Sequence, residues 1–125
     1  MTNVRELEIK KLVLDNGSVP FDEWHDSLRD MKLQAAVAVR LARVRAGNLG
    51  DHKSVGEGVS ELRIDKGPGL RVYFGRQGST LIVLVGGGNK STQQRDIRRA
   101  KKLWKEFIYA TEKLQSRSAQ KTPRP

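Results

Sequence analysis

The 125-residue chain contains no cysteine. That excludes a disulfide framework, a thiol nucleophile and a thiolate metal site. It has two histidines, His25 and His52. Neither has partners at metal-ligand spacing, and a lone histidine is a weak catalytic signal. Long apolar runs are missing as well: residues 81–85, LIVLV, are far too short to span a bilayer. The N-terminal residues are charged and lack an apolar core segment, which predicts no signal peptide, no membrane partner and a cytoplasmic location. No internal repeat is visible. The segment GGGNKS at residues 86–91 lacks the GxxxxGK[ST] spacing of a phosphate-binding P-loop, so nucleoside triphosphate binding is not supported. Acidic residues are in deficit, 14 against 24 lysines and arginines, for a net charge of +10. That surplus points to phosphate-rich or acidic partners.

What is present centres on residues 59–94, VSELRIDKGPGLRVYFGRQGSTLIVLVGGGNKSTQQ. Strand side chains alternate with a period of two. Leu62 and Ile64 therefore point one way and Glu61 and Arg63 the other; after the turn Gly67-Pro68-Gly69, Leu70, Val72 and Phe74 oppose Arg71 and Tyr73. Gln77-Gly78 makes the next turn, and residues 81–85, apolar on both faces, suit a central strand. This arrangement places Arg63, Arg71 and Tyr73 on one shared face, opposite the core. Buried sheet faces do not carry unpartnered arginines. The face is either open to solvent, with cross-strand pairs such as Glu61 to an arginine, or open to an anion.

The rest of the chain supplies helices. Residues 4–14 fit a first strand, and Asp15-Asn16-Gly17-Ser18 a turn. Residues 21–30 read as a short helix with Asp22 and Glu23 in its first turn and Phe21, Trp24 and Leu28 on its core side. Residues 33–46 form the clearest helix, striped by Leu33, Val37, Leu41 and Val44, with Arg40, Arg43 and Arg45 on its remaining, solvated surface. Residues 51–58 read as a loop. A capping box at Ser91 and Gln94 predicts the last helix, residues 92–114, whose flank carries Arg95, Arg98, Arg99, Lys101, Lys102 and Lys105. Such a band is either a solvated surface or a phosphate-backbone contact. The reading is a single α+β domain over residues 1–114, with a small antiparallel sheet, an N-terminal helical hairpin and a C-terminal helix. Residues 115–125 form a flexible basic tail.

Taken together, the segments PFDEW at 20–24, Arg40-Leu41, GNLGD at 47–51, ELRI at 61–64, GPGLRVYF at 67–74 and GGNKSTQ at 87–93 resemble the RelE/ParE toxin superfamily. The narrower likeness is to its HigB-like, addiction-module-killer branch, over roughly residues 3–110. Leu70 departs from a frequent aromatic and Asn89 from a frequent aspartate. The resemblance implies the toxin of a type II toxin–antitoxin pair: an endoribonuclease, or mRNA interferase, that inhibits translation by cutting mRNA on the ribosome without a metal or other cofactor. It also implies a cognate antitoxin, HigA-like with a helix-turn-helix domain, and operator DNA bound through the complex. A ParE-like inhibitor of DNA gyrase and a non-catalytic binding module remain as alternatives.

Metal-free RNA cleavage requires a 2′-hydroxyl deprotonated, a pentacovalent phosphate stabilised and a 5′-oxygen protonated. Arg71 is the first candidate for the phosphate, because a guanidinium fork matches its oxygens, and the resemblance places the family's arginine there. Arg63 assists from the neighbouring strand. Lys90 stands where the resemblance implies a basic catalytic residue. Tyr73 is a candidate to stack on a base or orient the substrate. Lys66 and His52 are of second rank, and Arg95, Arg98 and Arg99 are candidates for RNA contact.

Overall fold

The protein is described by a computed structural model over residues 6–121, with side chains through residue 117. It is an α+β fold of β1 (Glu8–Lys11), α1 (Pro20–Ser27), α2 (Met31–Arg45), β2 (His52–Gly56), β3 (Val59–Ile64), β4 (Leu70–Gln77), β5 (Leu81–Asn89), a 3₁₀ turn (Lys90–Thr92) and α3 (Gln93–Lys121). The strands make one five-stranded sheet in the order β1-β5-β4-β3-β2. β2 to β5 pair antiparallel with their neighbours; β1 runs parallel to β5, pairing Glu8 with Leu81 through Lys11 with Leu84. Among the described residues no helix is long and apolar enough to cross a membrane.

The strand alternation divides the core into two layers. On one face Leu62, Ile64, Leu70, Val72, Phe74, Ile82 and Leu84 pack against Phe21 of α1 and Val37, Leu41 and Val44 of α2. On the other face Val59, Tyr73, Val83 and Val85 pack beneath Ala100 and Trp104 of α3. A helix on each face explains why β4 and β5 are buried along most of their length.

Several boundaries differ from the sequence reading. Residues 52–56 are an edge strand, not a loop, and hairpin with β3 through Glu57 and Gly58, both at positive φ. The glycines at 86–88 stay in β5 and pair with residues of β4. They can do so because helix side chains take the volume their own would occupy: a Cβ on Gly87 would overlap the Trp24 indole, and one on Gly88 the Asp96 carboxylate. α1 ends at Ser27, and Asp30 caps α2 by accepting from the Lys32 amide at 2.8 Å. The capping box belongs to Asn89 and the 3₁₀ turn that leads into α3, not to Ser91: Asn89 Oδ1 accepts from the amides of Ser91 and Thr92, and the Thr92 hydroxyl accepts from the Asn89 amide. Residues 115–121, expected in a flexible tail, continue α3. Residues 122–125 of that tail, and residues 4 and 5 of the expected first strand, lie outside the described residues.

Arg40 also departs from its expected place on a solvated helix face. Its guanidinium donates to the carbonyls of Leu49 (2.9 Å from Nη2), Arg63 (2.6 Å from Nη1) and Asp51. It thereby pins the loop after α2 and the end of β3 to one helix. Burial lowers its pKa, and Asp51 opposes that shift. Removing the fork leaves three carbonyls to find other donors, so Arg40→Ala is expected to cost about 2–3 kcal/mol in urea unfolding. Arg40→Lys should recover little of it, since an ammonium cannot span all three acceptors. A loss below about 0.5 kcal/mol would mean that water replaces the clamp.

Candidate functional site

The site grows from the β3–β4 register. Arg63 pairs directly with Arg71, and Glu61 with Tyr73, which puts all four on the α3 face. This is the shared face expected from alternation, but α3 covers much of it. Glu61 lies between the arginines and is fully buried. Its Oε1 accepts from Arg63 Nε at 2.8 Å and lies 3.9 Å from Arg71 Nε. Gln93, from the first turn of α3, donates to both of its oxygens at 2.9 and 3.1 Å. The face is thus largely covered rather than open to solvent; Glu61 bonds Arg63 within β3 and faces Arg71 of β4 at 3.9 Å, and a surplus of positive charge remains beside it.

Burial alone would push the Glu61 carboxyl up. The bonds from Arg63 and Gln93, with the charges of Arg63 and Arg71, outweigh that and hold it below its ordinary value. The Arg63 pKa is raised, chiefly by the same bond to Glu61. A carboxyl depressed in the folded state contributes stability that is present above the ordinary carboxylate range and lost as pH falls through its folded value. The stability advantage of the wild type over Glu61→Gln should therefore be constant near neutral pH and shrink progressively below about pH 4. Urea unfolding of both proteins across that range reads the difference directly, and a gap indifferent to pH would show that the charge of Glu61 contributes nothing.

Lys90 joins the arginines through the β3–β4 turn. Its amide donates to the Gly69 carbonyl at 2.9 Å, and the Gly69 amide donates to the Lys66 carbonyl at 2.9 Å. A Cβ built on Gly69 would lie 3.4 Å from Lys90 Cβ and 3.7 Å from Arg71 Nη1, so the two side chains flank one glycine. Arg71 is mostly covered, its side chain 11% exposed, whereas Arg63 is 36% exposed and Lys90 and Lys66 are open to solvent. Lys90, Arg95 and Arg98 line an open groove of about 520 Å³ over the start of α3. The arrangement offers a phosphate one covered guanidinium group, a second more exposed one, and exposed ammonium groups at their margin.

A Haemophilus influenzae protein carrying the name "Uncharacterized protein" is 45% identical to this chain over 90 residues, 72% of this chain and 91% of that protein. The chain belongs to that protein's family. It matches no family model and no solved structure.

Other sequence candidates fall elsewhere. Tyr73 is fully buried in the α3 core, so its ring offers no surface on which a base could stack. Burial and the Glu61 charge raise its pKa, and its hydroxyl has no hydrogen-bond partner among the described residues. It sits opposite Glu61 on the neighbouring strand, beneath α3. His52 pairs opposite Leu62 on β3, hence on the α2 face, away from the arginines, and its Nδ1 lies 2.9 Å from the Gly50 carbonyl. Arg99, with Arg95, lines a separate groove of about 240 Å³ bounded by Trp24, Gly86 and Gly87.

Sequence reasoning passed over three residues. Glu61 entered only as an ordinary cross-strand partner, although its place two residues before Arg63 was a usable signal. Lys53, directly opposite Glu61 on β2, was hidden in an expected loop. Gln93 gave no signal, because its partner lies 32 residues away.

Proposed function

We propose that the chain is the toxin of a type II toxin–antitoxin pair, an endoribonuclease that cuts mRNA on the ribosome and acts in the cytoplasm. The observation that supports this most is the grouping of Arg71 and Lys90 about Gly69 with Arg63 paired beside Arg71, and Glu61 buried between the two arginines. In this reading Arg71 and Arg63 bind the scissile phosphate. The 2′-oxygen loses its proton to a base, attacks phosphorus and displaces the 5′-oxygen, which takes a proton as it leaves. The products are a 2′,3′-cyclic phosphate and a 5′-hydroxyl end. Lys90, exposed beside the arginines, serves as one of the two proton-transfer groups. The ribosome supplies what this shallow site lacks by holding the message in an attacking geometry.

The partner implied is an antitoxin with an acidic segment, which would neutralise a chain of net charge +10 and carry the complex to operator DNA. The test is transcriptome-wide mapping of RNA 5′ ends shortly after this chain is induced alone in growing bacteria. New 5′-hydroxyl ends inside translated frames are expected. Arrested growth with an unchanged end map would favour gyrase inhibition, and normal growth would favour a non-catalytic binding module.

A further inference from the structure

A carboxylate buried between two arginines does nothing to attract a phosphate, since it cancels part of their charge. What it controls is direction. Glu61 faces the Nε edge of both guanidinium groups, bonded to Arg63 at 2.8 Å and 3.9 Å from Arg71. Arg71 Nη1 is held by the Leu70 carbonyl at 3.1 Å. Among the described residues, Arg71 Nε and Nη2 and both Nη atoms of Arg63 have no hydrogen-bond partner. Arg63 is therefore gripped by its Nε edge and presents its outer edge, whereas Arg71 is held at Nη1, with its buried Nε facing Glu61 across 3.9 Å without a hydrogen bond. Glu61 is itself held by Gln93, whose Nε2 reaches both of its oxygens from the first turn of α3. That turn follows directly on the 3₁₀ turn Lys90–Thr92, which Asn89 caps.

We propose that Glu61 and Gln93 are positioning residues for Arg63 and Arg71: Glu61 aims the Arg63 guanidinium through a bond to its Nε and draws that of Arg71 by charge, and Gln93 couples that aim to the docking of α3. Nothing in the arrangement requires Gln93 for folding. It is half-buried, and its amide reaches across to β3 where an alanine would leave α3 capped and its apolar side seated on Val83 and Val85. The kinetic consequence rests on the RNA-cleaving reading; the geometric one does not.

The test uses the full chain, labelled with ¹⁵N at arginine, as wild type, Gln93→Ala and Glu61→Gln. ¹H–¹⁵Nε spectra report the arginine side chains, and cleavage of mRNA on programmed ribosomes gives kcat and KM. In folded Gln93→Ala the Arg63 and Arg71 Nε signals should shift and broaden. Its kcat should fall about tenfold, as for loss of a group that orients a reacting one. Its KM should stay within about twofold, because the lost interaction matters most in the transition state. Glu61→Gln should show both effects more strongly. The proposal is overturned by wild-type Nε signals in folded Gln93→Ala, or by shifted signals with kcat unchanged. Should the wild type not cut RNA, the proposed function fails, and the spectra alone decide on positioning: a shift upholds it and unchanged signals overturn it.

Discussion

Induced alone in growing bacteria, the Arg71→Ala chain should fold, accumulate and leave translated messages uncut. On ribosomes in vitro its cleavage rate should fall by at least about 10²-fold, the scale seen when a fixed donor to a developing charge is removed. The site geometry says why this one substitution should matter most. Arg71 is 11% exposed and tied to Leu70 and Glu61, so its guanidinium is already placed before a substrate arrives. Arg63 is more exposed and Lys90 open to solvent; both must give up more freedom to act. Folding should survive, because Glu61 keeps Arg63 and Gln93, and the strand register at Arg71 is carried by backbone pairing with Gly88. Arg71→Lys should recover only part of the rate, since an ammonium keeps the charge and loses the fork. A folded Arg71→Ala chain that still produced 5′-hydroxyl ends within reading frames would move the phosphate site elsewhere.

The part of this site that was legible in the sequence is the part set by local geometry. Period-two alternation placed Arg63 and Arg71 on one face, and Gly67-Pro68-Gly69 located the turn whose Gly69 meets Lys90. The helical hairpin followed from the Val37, Leu41 and Val44 stripe, all three buried as expected. What failed were inferences that depended on which surfaces meet. Tyr73 alternates with the arginines, but whether that face is wet depends on α3, and α3 covers it. The glycines at 86–88 look like a strand exit until Trp24 and Asp96 fill the space beside them. Residues 52–56 carry almost no apolar residues because they form an exposed edge strand, so alternation had nothing to mark. Arg40 is indistinguishable from Arg43 and Arg45 by composition; the path of residues 49–51 and the end of β3 beside its helix give it acceptors.

Gly75→Ala is expected to be among the most destabilising single changes in the chain, although an alanine in a strand is ordinarily favoured over glycine by about 0.5–1 kcal/mol. Gly75 sits in β4 without a positive φ, so its backbone does not require glycine. The requirement is steric. A Cβ there would overlap the Trp104 indole, and a Cβ on Gly58 would come within 2.7 Å of Trp104 Nε1. The indole is 6% exposed and seated between two bare stretches of backbone, with Phe107 stacked beside it at 5.5 Å between ring centroids. It cannot yield without lifting α3 from the sheet. Overpacking of this kind costs about 1–3 kcal/mol and more where the neighbour cannot move, so a loss of about 3 kcal/mol is expected in urea unfolding. Trp104→Ala alone should cost about 3–5 kcal/mol through lost burial and the cavity left behind. The decisive comparison is the double variant. With the indole gone, Gly75→Ala should change sign and become neutral or stabilising, because only the strand preference remains. If Gly75→Ala were as damaging in the Trp104→Ala background as in the wild type, the glycine would be needed by the strand itself and not by the helix that lies on it.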